Sequence, residues 1–157
     1  MTTVCDGGEV ASTPFAEWEL PAEPATVAAI RGGARAFASE HGAGGDLLID
    51  LALAVTEAVT NAIVHAYVDR EPGTVHARIE AAPDELVVTV SDDGRGMQPR
   101  PDSPGLGLGL PTIARLTRAM DMQTRPGGGT VVKMSFAAPG VVGPARARRA
   151  DDLLAAV

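Results

Sequence analysis

Lysine is almost missing from this chain, and aromatic side chains are few. Of thirteen basic residues only Lys133 is a lysine, and twenty acidic residues leave a formal net charge of −7. Grip on a nucleic-acid backbone rests on clustered Lys and Arg. The one basic cluster, Arg146, Arg148 and Arg149, sits in an Ala- and Gly-rich C-terminal stretch that reads as a solvated tail. The aromatic set is Phe15, Trp18, Phe37, Tyr67 and Phe136, too sparse to stack single-stranded bases. Cys5 is the sole cysteine, so no intramolecular disulfide can form. The N-terminus lacks a basic region followed by an apolar run, and no stretch reads as long and apolar enough to span a bilayer. The expectation is a cytoplasmic protein without direct nucleic-acid or membrane contact.

What is present suffices for one domain. In 157 residues, 45% are hydrophobic and 21% charged, so a core of Ala, Val, Leu and Ile can form under a soluble surface. Residues 1–13 are small and polar and read as a disordered N-terminus. Phe15 to Leu20 alternates apolar and polar, as an edge strand does. Ala25 to His41 reads as a helix ended near Gly42, and Asp46, placed to cap, opens a longer helix to about Tyr67. Thr74 to Ala81 and Leu86 to Ser91 pattern as a hairpin turned at Pro83-Asp84. A Gly- and Pro-rich loop runs from Asp93 to Gly109, and Pro111 to Ala119 reads as a third helix. Met120 to Thr124 and Thr130 to Ala137 form a last hairpin around Pro126-Gly127-Gly128-Gly129. Everything after Pro139 reads as a flexible tail. Hairpin-joined strands with grouped helices favour an α+β two-layer sandwich over a doubly wound parallel sheet.

On the second helix, 100° per residue places Leu48, Ala52, Val55, Val59, Ala62, Ile63 and Ala66 on a packing stripe. Asp50, Glu57, Asn61 and His65 fall opposite. Glu57 and Asn61 are one turn apart and therefore neighbours. A carboxylate beside a carboxamide oxygen suits Mg²⁺, which takes few protein ligands and completes its shell with phosphate and water. With Asn61 as the neutral ligand, Glu57 is free to accept a proton. An ordinary solvated helix face would look the same, so the pair needs support from elsewhere.

Asp92-Asp93-Gly94-Arg95-Gly96 follows a hydrophobic strand. A carboxylate there can accept a hydrogen bond from the exocyclic amine of adenine and discriminate against guanine. Gly105-Leu106-Gly107-Leu108-Gly109-Leu110 runs directly into the third helix, and free amides at a helix start suit phosphate. A P-loop is excluded because no Gly-Lys-Ser/Thr exists. A dinucleotide fingerprint would open the first strand–helix unit rather than come late. Gly127-Gly128-Gly129-Thr130 reads as a hairpin turn from which Thr130 can reach a base or its water.

Together, Glu57-Ala58-Val59-Thr60-Asn61, the Asp92 to Gly96 segment, Gly105 to Gly109 and Gly127 to Thr130 resemble the ATP-binding boxes of the gyrase, Hsp90, histidine kinase and MutL superfamily. Glu57 to Tyr67 further resembles the anti-sigma-factor serine kinases of bacterial sporulation and stress switches. The resemblance implies a Bergerat-type fold over residues 14–138: a mixed, mostly antiparallel sheet with about three helices on one face. It implies ATP and Mg²⁺, with Asn61 on the metal and Glu57 as base for a serine hydroxyl. Asp92, Gly94, Gly96 and Thr130 would lie around the base, and Gly105, Gly107, Leu108, Gly109 and Leu110 around the phosphates. It implies a homodimer that binds a sigma factor of RNA polymerase or a STAS-type anti-anti-sigma protein, with Arg31 on the first helix at the partner surface. Met97 to Gly105 departs from the family in being short, free of lysine and marked by Pro99, Pro101 and Pro104, leaving Arg95 or Arg100 to neutralise phosphate. Two alternatives stand beside the kinase: a nucleotide-dependent binding module that transfers no phosphate, and a stand-alone histidine-kinase-like ATPase domain.

Overall fold

The computed structural model describes residues 13–67, 71–96, 109–141 and 148–149. In chain order the elements are β1 (Phe15–Pro21), α1 (Pro24–Glu40), α2 (Gly45–Ala66), β2 (Thr74–Ala82), β3 (Glu85–Asp92), α3 (Gly109–Leu116), β4 (Ala119–Thr124), β5 (Thr130–Ala137) and β6 (Arg148–Arg149). The sheet runs β4-β5-β3-β2-β1-β6. All pairings are antiparallel except the short one between β1 and β6. This is the expected α+β sandwich with a mixed, mostly antiparallel sheet.

The period-2 pattern decides which sheet face is covered. Val75, Ala77, Ile79 and Ala81 of β2, Leu86, Val88 and Val90 of β3, and Val132, Met134 and Phe136 of β5 are buried in one core with Ile30, Phe37, Leu51, Val55 and Ile113 of the helices. The β2–β3 turn places Asp84 at φ 55°, a left-handed conformation that Asp tolerates better than most residues. Its carbonyl and carboxylate accept the amides of Ala138 (2.9 Å) and Gly140 (2.8 Å), tying that turn to the end of β5.

α2 packs against α1, α3, β3 and β5, which rotates its buried face from the expected stripe. Leu51, Ala54 and Ala58 join Val55, Val59, Ala62 and Ala66 in full burial, while Leu48, Ala52 and Ile63 are half-buried. The expectation that no stretch could span a bilayer needs correcting: α2 is long and apolar enough by length and composition, with mean hydropathy 1.8. Part of that apolar character lies on the exposed side of the helix, at Ile49, Leu53 and Val64. The cap also differs. Gly44 is the N-cap and makes no side-chain bond, and Asp46 stands in the first turn, where its charge complements the helix dipole. Gly45 adopts φ +54° at the helix start, so the chain turns in one residue before Asp46.

β1 was expected at the sheet edge. Its outer side pairs over two residues with β6, Ala16 opposite Arg148 and Glu17 opposite Arg149. The stretch past Pro139, read from sequence as tail, thus contributes this strand and the buried Val141. α3 begins at Gly109, two residues before the expected Pro111.

Candidate functional site

β3 alternates, so Asp92 points to the same side as Val88 and Val90, beneath α2. It is 2% exposed. The Gly94 amide donates to its Oδ1 at 3.0 Å, and the Thr130 backbone amide also serves it. Burial pushes the Asp92 carboxyl above the usual carboxylate value, and the two amide bonds oppose that rise. A desolvated acceptor with fixed donors on one side is poised for a further donor on the other.

That other side is a narrow cleft open to solvent. One wall is the α2 face formed by Ala58, Asn61, Ala62, His65 and Ala66; Val90, Asp92, Thr130 and Val132 form the floor, with Gly96 at the rim. Apolar walls around one carboxylate suit a flat heterocycle bearing an amine, because exclusion of water strengthens the polar contact. Two close approaches shape the cleft. A Cβ on Gly94 would lie 2.5 Å from Ala66 Cβ, so glycine lets the Asp-Gly loop meet the end of α2. Gly128, at φ +110°, packs where a Cβ would be 2.7 Å from the Gly94 carbonyl oxygen. The β4–β5 turn is therefore folded onto the loop that carries Asp92.

At the other end, Glu57 and Asn61 meet the start of α3. A Cβ on Gly109 would sit 3.0 Å from Glu57 Oε2, 3.1 Å from Asn61 Nδ2 and 3.3 Å from Asn61 Oδ1. Both side chains are half-buried. Among the described residues no trio of His, Cys, Asp or Glu gathers to hold a metal. A cation at Asn61 and Glu57 would take its remaining ligands from phosphate and water, which is how Mg²⁺ is held with nucleotides. The side-chain oxygens of Glu57 and Asn61, brought together beside Gly109, are donors of the kind such a group takes.

The structure thus brings Asn61, Asp92, Gly96 and Thr130 to one cleft, with Glu57 and Gly109 beside Asn61. Gly94 lies behind Asp92, against Ala66. Leu110 packs on the hydrophobic core. Arg31 is exposed on α1 and does not line the cleft. Gly105, Gly107 and Leu108, with Arg100, lie outside the described residues.

Sequence reasoning gave no role to His65, although its place four residues after Asn61 marked it, nor to the apolar floor of Val90 and Val132. It also missed a polar knot behind the cleft. Tyr67, the C-cap of α2, gives its hydroxyl proton to Asp93 Oδ1, and the Thr74 amide donates to the same oxygen at 3.0 Å. The Tyr67 bond and the Thr74 amide hold the Asp93 carboxyl below its usual range. Burial, then the carboxylate, raises the Tyr67 hydroxyl. No local signal pairs residues 26 positions apart.

Comparison with known proteins identifies the family. Residues 20–136 match the histidine kinase-like ATPase domain. The chain is 34% identical over 104 residues to an anti-sigma F factor of Clostridium beijerinckii, covering 58% of this chain and 73% of that protein. It is 41% identical over 83 residues to the serine-protein kinase RsbW of Bacillus velezensis, 53% of this chain and 52% of that one. A crystal structure of the RsbU and RsbW domains of a Mycobacterium tuberculosis protein shares the fold, with a TM-score of 0.60 at 22% identity over 87% of this chain and 34% of that one. The chain belongs to the histidine kinase-like ATPase family, within its group of anti-sigma-factor serine-protein kinases.

Proposed function

We propose that this protein is an ATP- and Mg²⁺-dependent serine kinase that sequesters a sigma factor and phosphorylates the anti-anti-sigma protein that competes for it. The observation that carries the reading is the buried, desolvated Asp92 facing an apolar cleft lined by Asn61, with Glu57 beside Asn61 one helix turn away. Asp92 accepts from the adenine amine. Asn61 offers a neutral oxygen to Mg²⁺, and Gly109, with Gly105 and Gly107, supplies amides for the phosphates. Bound nucleotide and metal would supply the transferable phosphoryl group and neutralise its charge. Glu57 takes the proton of the incoming serine hydroxyl, sharpening it as a nucleophile. Phosphate on that serine adds charge to a recognition surface and releases the antagonist.

Arg31, exposed on α1, is proposed at the partner surface, and the working unit is proposed to be a cytoplasmic homodimer. The names of the matched relatives, an anti-sigma F factor and a serine-protein kinase, support the reading. The test is a pull-down from the source cell with and without ATP, followed by transfer from labelled ATP to whatever is recovered. Recovery of a sigma factor and of an antagonist phosphorylated on serine is expected. Purified chain that ignores adenine nucleotides in calorimetry refutes it.

A further inference from the structure

Asp92 and Asp93 are adjacent and point opposite ways. Asp92 is buried beneath α2, and Asp93 lies on the outer side of the strand end, exposed. Asp93 Oδ1 gathers the Tyr67 hydroxyl and the Thr74 amide, while the Asp93 amide lies 3.4 Å from the same Tyr67 oxygen. The Tyr67 oxygen is also 3.0 Å from the Thr74 carbonyl oxygen. One residue on, the Arg95 amide donates to the Ala66 carbonyl at 3.1 Å, satisfying a backbone acceptor left open at the helix end. Packing is tight here too: a Cβ on Gly73 would collide with Asp93 Oδ1 and come within 2.7 Å of Tyr67 Cε1.

We propose that Tyr67 and Asp93 are positioning residues for the Asp92 carboxylate, a latch that joins the end of α2, the head of β2 and the exit of β3. Exposed polar contacts of this kind contribute little to global stability. Their leverage here is geometric. Asp93 directly follows Asp92, the last residue of β3, and its side chain is exposed where that of Asp92 is buried, so fixing the Asp93 carboxylate from outside fixes the angle at which Asp92 enters the cleft. A buried acceptor that discriminates between bases must be held to within about 0.5 Å. The inference rests on the reading of Asp92 as the adenine acceptor.

The test uses Tyr67→Phe, which keeps the ring and removes the hydroxyl, and Asp93→Asn, with the double variant. Affinities for ATP and GTP are measured by calorimetry on the full chain, with circular dichroism and melting as folding controls. Each single variant is expected to weaken ATP binding about tenfold and to shrink the ATP-over-GTP preference, a readout that a merely structural contact would not move. The double variant should be no weaker than the singles, because both break one interaction. Folded single variants with unchanged affinity and base preference would overturn the latch alone. Wild-type protein that binds neither nucleotide would overturn the adenine reading and the latch with it.

Discussion

The two ends of the cleft are built on different terms. The proposed base end is backbone-made: Asp92 is locked by the Gly94 and Thr130 amides, and glycines let three chain segments touch. The proposed catalytic end is made of side chains, Glu57 and Asn61 one turn apart on α2, facing the first residue of α3. A site divided in this way can lose chemistry without losing affinity, and the reverse.

The largest expected effect breaks the catalytic end alone. Glu57→Gln should lower phosphoryl transfer to the cognate antagonist by about 10²- to 10⁴-fold, the span of a general base. Its ATP affinity should stay within about threefold of wild type by calorimetry; equal transfer by the variant would remove Glu57 from the base role. The mirror experiment is Asp92→Asn. Loss of a charged acceptor should weaken ATP binding about 100-fold and abolish preference over GTP. Retained preference would place the base elsewhere. Next, Gly94→Ala should cost about 2–3 kcal/mol in denaturant unfolding, since the new methyl meets Ala66, while an alanine at exposed Arg31 should leave stability within about 0.5 kcal/mol.

The smallest effect sharpens the comparison of the adjacent aspartates, which titrate in opposite directions. Asp92 is raised above 3.8 by burial, so ATP affinity should begin to fall on acidification at a higher pH than for an ordinary aspartate, and that acid limb should vanish in Asp92→Asn. For folding, its raised value favours the native state below pH 3.8 and loses that contribution as pH rises through the native value; neutral Asn at 92 should therefore not lower stability near pH 7 on electrostatic grounds. Asp93 is lowered from 3.8, first by the Tyr67 hydroxyl and then by the Thr74 amide. Its contribution is complete above that value and disappears as pH falls through the native one. The melting difference between wild type and Asp93→Asn should accordingly be present at pH 7 and vanish in acid. A difference that persists in acid would show that the bond to Tyr67 does not depend on the ionised carboxylate.

Much of the fold was legible because its signals are local. The β-patterned runs marked β2, β3 and β5, and Pro83-Asp84 and Gly127 to Gly129 marked the hairpin turns. The α2 stripe was less legible: its angle depends on α1, α3 and the sheet together, which is why Leu51, Ala54 and Ala58 were passed over for Leu48 and Ala52. α2 is apolar enough to span a bilayer partly through Ile49, Leu53 and Val64, which are exposed, so its packing does not account for its composition. The strand at Arg148–Arg149 was illegible because two residues carry no period.

By itself, the sequence determined which residues share a helix turn, since 100° per residue is a property of the local backbone; Glu57 beside Asn61 follows from that. Only the tertiary structure decided what this pair meets. Asn61, Asp92 and Thr130 line one cleft, with Gly109 closing on Glu57, because α2 lies across β3 and β5. That crossing is set by burial summed over the whole core, a quantity no short window of residues contains.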